Sequence, residues 1–424
     1  MMKIQIFSIA AHRDMRRRWR WLLAALLIAA PTTVFGQEEK AAVNPRLELY
    51  GFIMTDAIYQ SGQSDAAWFD VLRPTKLPAF EDEFGRDGRT HFSVRQTRFG
   101  AKAYLPTDLG ELFTQFEWEM FGTGVDAGQT TLRLRHAYAE LGKIGAGQYW
   151  SPFMDIDIFP NSIEYWGPNG MVFFRNIQLR FMPVKGDSRV TFALERPGAS
   201  GDQGRFEDRT ELDNVAGRFP WPDFSAEGRL GRSWGYVELA GIIRPLEWDD
   251  LLDDQFDLSG DDLGWGVSLS SNLKFIRNTV IRLQGVIGEG VQNYMNDAPV
   301  DVGIALNPGD PVRPIVGEAL GMWSATGFID YQWSRLFSSS LGYSILEMDN
   351  TEGQANDAFK KGQYALFNLL YYPTVNTMIG AEVQWGQRDN AFDGFSSDDF
   401  RFQLSARANW SLKFWNEMRA SNDN

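Results

Sequence analysis

Arginine recurs at alternate positions in this chain, and that spacing is a chemical statement. Arg133 and Arg135 lie two residues apart, and Arg98 is followed two steps on by Lys102. In an extended segment such pairs project to one side. With Arg180, Arg282, Arg388, Arg401 and Arg407 they form a set of cations that share one phase of their segments. Guanidinium groups in file offer bidentate contacts to carboxylates and phosphates. Acids fall on the same phase: Glu117, Glu119 and Glu382, with Asp330. Ion pairing among these groups would make the arginines cross-braces instead. A second acidic group, Asp155, Asp157 and Glu164, lies in the aromatic, proline-broken stretch from Gly147 to Gly170. Alternate carboxylates there could converge on a sugar or a metal, but nothing nearby supports catalysis.

Other chemistry is excluded by composition. The 424 residues contain no Cys and only 3 His, so thiol nucleophiles, Cys-ligated zinc and iron–sulfur clusters are out. No phosphate-cradling glycine motif, nucleophile elbow or zinc spacing occurs. With 41 Lys+Arg against 55 Asp+Glu, the formal charge of −14 argues against a nucleic-acid partner. We therefore expect no enzyme, no cofactor and no metal. The paired acids Asp249-Asp250, Asp253-Asp254 and Asp261-Asp262 cluster in one loop, where they could bind Ca²⁺ or bridge to lipopolysaccharide through a cation, but they read first as solvated loop charge. His136 reads as a wall or subunit-contact residue.

The elements that position these residues are strands. From Phe400 to Phe414, Phe402, Leu404, Ala406, Ala408, Trp410 and Leu412 alternate with Arg401, Gln403, Ser405, Arg407, Asn409, Ser411 and Lys413. Period two over that length gives one greasy and one polar face. About sixteen such segments follow one another, beginning near 46, 92, 110, 130, 143, 171, 188, 224, 234, 263, 279, 322, 338, 362, 376 and 400. At ten to fifteen residues they are long enough to cross a tilted bilayer span. Aromatic residues mark their ends, as at Tyr50 and Tyr59 or Phe400 and Phe414, which suits interfacial girdles. An open sheet edge in lipid leaves backbone groups unpaired, so the sheet must close. The fold class is all-β: a transmembrane antiparallel barrel of about 16 strands, wide enough for a water-filled lumen. The Gly147–Gly170 stretch then folds inward as a constriction loop. Longer outer loops fall at 61–91, 197–223, 244–262 and 289–321. A soluble, secreted or periplasmic β-rich carbohydrate-binding protein or enzyme is the alternative.

Residues 1–36 read as a signal peptide: a basic stretch, an apolar run from Trp21 to Ala30, Pro31, and small-residue space before Gln37. Met15 would serve as a start giving a more usual signal. Residues 37–45 form a short N-terminal segment, 46–414 the barrel and 415–424 a tail.

The order of several motifs resembles the Gram-negative general porins, and most of all the DcaP-like trimeric porins. They are Val94-Arg-Gln-Thr-Arg-Phe-Gly100, Arg133-Leu-Arg-His-Ala-Tyr-Ala-Glu-Leu-Gly142, Gly147-Gln-Tyr-Trp-Ser-Pro-Phe-Met-Asp155, Trp166-Gly-Pro168 and Gly380-Ala-Glu-Val-Gln-Trp-Gly-Gln-Arg388. The resemblance implies an outer-membrane homotrimer of sixteen-stranded barrels, in contact with lipid and lipopolysaccharide. It implies passive diffusion of small hydrophilic solutes, leaning toward anions such as organic dicarboxylates. It sets Arg133 and Arg135 on a basic wall and Asp155 in the constriction loop. Two departures stand out: too few residues precede the first strand for a coiled-coil extension, and the chain does not end on the aromatic Phe414.

Overall fold

Strands with one apolar face need a second surface to cover it, and here the sheet covers its polar face by closing on itself. The computed structural model describes residues 45–415; the signal segment, nearly all of the 37–45 segment and the tail after Trp415 lie outside them. The first strand, β1 (Arg46–Gln60), pairs along its whole length with the last, β20 (Ser396–Trp415). Between them the wall runs through β2 (Arg89–Ser93), β3 (Arg98–Thr107), β4 (Gly110–Phe121), β5 (Thr130–Leu141), β6 (Ile144–Trp150), β7 (Arg175–Val184), β8 (Arg189–Glu195), β9 (Val215–Arg218) and β10 (Asp223–Arg232). It continues through β11 (Gly235–Asp250), β12 (Gly260–Leu273), β13 (Thr279–Glu289), β16 (Gly321–Gln332), β17 (Phe337–Asp349), β18 (Phe359–Thr374) and β19 (Thr377–Asn390). The hairpin of β14 (Val302–Leu306) and β15 (Ile315–Ala319) is a separate sheet.

Two staves are broken. β2 and β3 both pair with β1, at its two ends, and residues 94–97 interrupt them. β9 pairs with Glu247–Asp250 and β10 with Gly235–Ile243 of the same β11, so they too are halves of one stave. The result is a closed antiparallel barrel of 16 staves, as the segment count implied. Pro245 in β11 faces the gap between β9 and β10, where its missing N–H costs no ladder bond on that side.

Connections are short at one end of the barrel and long at the other. The tight turns after β3 and β5 contain Gly110 (φ +116) and Gly142 (φ +59), conformations that glycine adopts without a Cβ clash. At the other end, residues 61–88, 151–174 and 290–320 form the longest connections, and each sends buried side chains against the inner wall. One expected loop shrinks: β11 runs to Asp250 and β12 starts at Gly260, with Trp248 opposite Gly260, so 244–262 reduces to 251–259. Asp249, Asp250, Asp261 and Asp262 therefore sit on strand ends, and Asp250 accepts the N–H groups of Leu252 and Leu258. The polarity of the faces follows β20: Phe402 and Leu404 are 56% and 62% exposed on the lipid side, whereas Arg401 and Gln403 are buried inside.

Candidate functional site

Three neighbouring staves bring a charge cluster together. Arg98 stands on β3, Glu117 and Glu119 on β4, and Arg133 and Arg135 on β5. Arg135 spans both acids, with Nε 2.6 Å from Glu117 and Nη1 2.6 Å from Glu119. Arg133 Nε donates to Glu119 at 3.0 Å, and Arg98 Nη2 at 3.2 Å. Arg175 of β7 approaches Glu119 to 3.8 Å. Tyr165, from the 151–174 loop, donates its hydroxyl to the same Glu119 and accepts from Arg133. Four guanidiniums thus surround two carboxylates. Glu119 and Arg135 are buried, while the side chains of Arg98 and Arg133 stay 24% and 22% open. A register shift between β4 and β5 places Arg135 and His136 both on the buried face. His136 consequently lies under Tyr149 and Trp150, with ring centroids 4.7 and 4.8 Å away. Of the two expected places, wall or subunit contact, it takes the wall, on β5, with its ring buried inside the chain.

The 151–174 loop follows the inner wall around most of the barrel. Near its start, Asp155 accepts from Arg229 Nη2, the Tyr236 hydroxyl and the Ser270 hydroxyl, each at 2.6 Å. Asp157 pairs with Arg229 Nη1 at 2.6 Å, and its carbonyl accepts from Asn272 and Arg282. Asn161 donates to Ser338 and Tyr372. The carbonyl of Ile163 accepts from Gln96 and Gln403, and its N–H donates to Glu382. Glu164 accepts the N–H groups of Leu72 and Gly167. Burial pushes its carboxyl up to about 8, with the nearby Glu382 adding to the rise and the N–H donors opposing it. Asp155 and Glu164 are thus anchors of the loop. Of the three acids expected to face a pore, Asp157 alone keeps a half-open carboxylate, 49% exposed.

A family model, DcaP outer membrane protein, matches residues 12–305. The chain belongs to the DcaP outer membrane protein family. Among solved structures it is similar to the outer membrane channel DcaP of Acinetobacter baumannii, with a TM-score of 0.71 and 20% identity over 88% of this chain and 99% of that one. It is also similar to an anion-selective porin from Comamonas acidovorans (TM-score 0.53, 11% identity, 86% and 100% covered). A third similar structure is the trimer form of OmpT from Vibrio cholerae (TM-score 0.51, 11% identity, 87% and 100% covered). No curated protein matches the sequence. The chain is an outer-membrane porin, which removes the soluble alternative.

In this DcaP-family barrel the other expected cations do not form one file. Arg282 pairs with Asp330 at 2.7 Å. Arg401 pairs with Asp399 at 3.1 Å and donates to carbonyls of Phe69 and Val71. Arg388 donates to Asn390 and to the carbonyls of Thr75 and Asp357. Those two arginines tie the 61–88 and 350–358 loops to the wall. Arg180 donates to Gln178 and the Trp150 carbonyl. Lys102 and Arg407 lie over the rings of Tyr50 and Phe52, at 5.0 and 5.7 Å. Glu382 holds loop backbone and the amides of Asn368 and Gln384. Sequence reasoning passed over Arg95, Arg175, Arg229 and Arg244. Arg95 pairs with Asp70 at 2.5 Å inside the broken stave; its signal was an arginine out of phase with Arg98. Arg229 and Arg244 stand in phase with Glu227 and Glu238 on adjacent staves, a pattern that alternation alone could have found.

Proposed function

We propose that the protein is a homotrimeric porin that passes small hydrophilic solutes and favours anions such as organic dicarboxylates. The observation carrying this reading is the excess of guanidinium over carboxylate at the Arg98–Arg133–Arg135–Arg175 cluster, two of whose arginines remain partly open. An arginine stays charged at any physiological pH. Two carboxylates cannot neutralise four such groups, so a passing carboxylate solute meets a net positive stretch of wall. The selectivity named for the Comamonas porin and the trimer form of OmpT agree with this reading. Outside, the apolar wall suits lipid, and the acidic outer loops suit cation-bridged lipopolysaccharide.

The test is the reversal potential of the purified protein in planar bilayers under a KCl gradient. Anion preference, with conductance steps in threes, is the expected outcome. Cation preference would refute the reading of the cluster.

A further inference from the structure

A cavity of about 250 Å³ opens between the start of the 151–174 loop and the turn joining β7 to β8. Its cation is Arg180, buried at 8% exposure. Nε and Nη2 of Arg180 donate to Gln178 Oε1, at 3.0 and 2.7 Å, and Nη2 also to the Trp150 carbonyl. Nη1 has no protein acceptor, and no carboxylate lies within 4 Å, among the described residues. This sets it apart from Arg95, Arg135, Arg229, Arg244 and Arg401, each buried with a carboxylate partner, and from Arg388, which also lacks a carboxylate but donates from all three of its nitrogens to protein oxygens. Rings of Tyr138 and Tyr149 at 5.4 and 5.0 Å offset part of its charge. A buried cation with no counterion is costly, and an anion from solution is its natural complement.

The rest of the lining narrows the anion. Tyr149, Trp150, Pro152, Met154, Ile156 and Met182 give the cavity a mainly apolar and aromatic surface. The other two cations on its rim are already paired, Arg189 with Glu227 and Glu238, and Lys185 with Glu140. One unneutralised guanidinium beside one apolar wall fits one carboxylate on one apolar body. The volume lies below the range of drug-sized pockets, roughly 300–1,000 Å³, and suits a single ring.

We propose that this cavity is a binding site for amphipathic monocarboxylates, with Arg180 holding the carboxylate and the loop residues Met154 and Ile156 holding an aromatic or alicyclic ring. The site rests on the reading of the barrel as an anion-favouring porin and names a substrate class that such a pore would retain on the way through.

The test uses saturation-transfer NMR on the full-length protein in detergent, titrated with benzoate, cyclohexanecarboxylate and acetate. Both ring acids are expected to bind at least tenfold more tightly than acetate. Arg180→Gln is expected to weaken ring-acid binding at least tenfold. Met154→Ser, which leaves the guanidinium in place, is expected to lower the benzoate-to-acetate ratio severalfold, and it serves if the first variant does not fold. Equal binding of benzoate and acetate to the unaltered protein overturns the proposal, as does an unchanged ratio in Met154→Ser. The KCl reversal potential of the same preparation separates the two readings. Anion preference without ring-acid discrimination defeats the cavity alone. Cation preference with ring-acid binding intact defeats the anion-pore reading and leaves the binding site standing.

Discussion

The two sides of the barrel interior are held by opposite means. From β3 to β7 the inner face is charged, and neighbouring staves are bridged by arginine and glutamate around Glu119. From β11 to β18 the inner face carries Ala240, Ile242, Val286, Met322, Leu346 and Met348, all buried. Phe153, Val172, Tyr294 and Met295, from two inward loops, pack on them. A smaller apolar cluster sets Leu72 and Leu77 of the 61–88 loop against Phe328, Tyr364 and Leu366. The loops thus meet the wall in two ways, through apolar clusters on β11 to β18 and through polar anchors such as Tyr165 on Glu119 and Asp155 on Arg229. Burial is stabilising in both places for different reasons: charge pairing must satisfy every carboxylate, whereas apolar contact only has to exclude water.

That contrast sets the ranking of mutational effects. Glu119→Ala should be the most damaging change, because it leaves Arg98, Arg133, Arg135 and Arg175 crowded without their shared acid. A cost of about 3–5 kcal/mol is expected, seen as loss of the heat-modifiable folded band on electrophoresis. On the opposite side, Leu346→Ala should cost about 3 kcal/mol through a cavity and lower the thermal midpoint. Its reversal potential should match wild type; a shifted one would mean that the apolar side also sets selectivity. Removing Arg133 and Arg135 together by Ala should move the reversal potential toward cations. If the double variant keeps wild-type selectivity, the charged side is a brace and nothing more.

The sequence disclosed the barrel more readily than its contents. Alternation over β20 and over β4 is a local property, set by which face meets lipid, and it survives in any sixteen-stave wall. The inner face depends on what fills it. Strands such as β11 and β17 carry apolar residues on both faces, Ile243 outward and Ile242 inward, because a loop distant in sequence covers them. Arg133, Arg135 and Arg98 were found because they share a phase with Glu117 and Glu119. Arg95 was missed because residues 94–97 break the stave, and the inward burial of His136 was not legible because a register shift brings consecutive residues to the same buried face. Asp155 and Glu164 were recognised as acids of the inward loop, but their work as anchors depends on Arg229, Leu72 and Gly167, which only the folded barrel brings to them.

Two acids of that loop, Glu164 and Asp157, give the finer predictions. Glu164 has its carboxyl raised to about 8 by burial, so the folded form holds its proton where an unfolded chain has lost it. Its contribution to stability is full below the ordinary carboxylate range, near 4.5, and is lost as pH rises through about 8. Thermal midpoints of wild type should fall between pH 5 and 9 more steeply than those of Glu164→Gln, for which this component vanishes; parallel pH profiles would exclude Glu164 as the titrating anchor. Asp157→Asn should have the smallest effect. Its carboxylate is half open, water screens its contact with Arg229, and Asp155 and Glu238 keep that guanidinium paired. A stability loss under about 1 kcal/mol is expected, and added salt should shrink it further. A larger, salt-insensitive loss would mean that the start of the loop hangs on Asp157 and not on the buried Asp155.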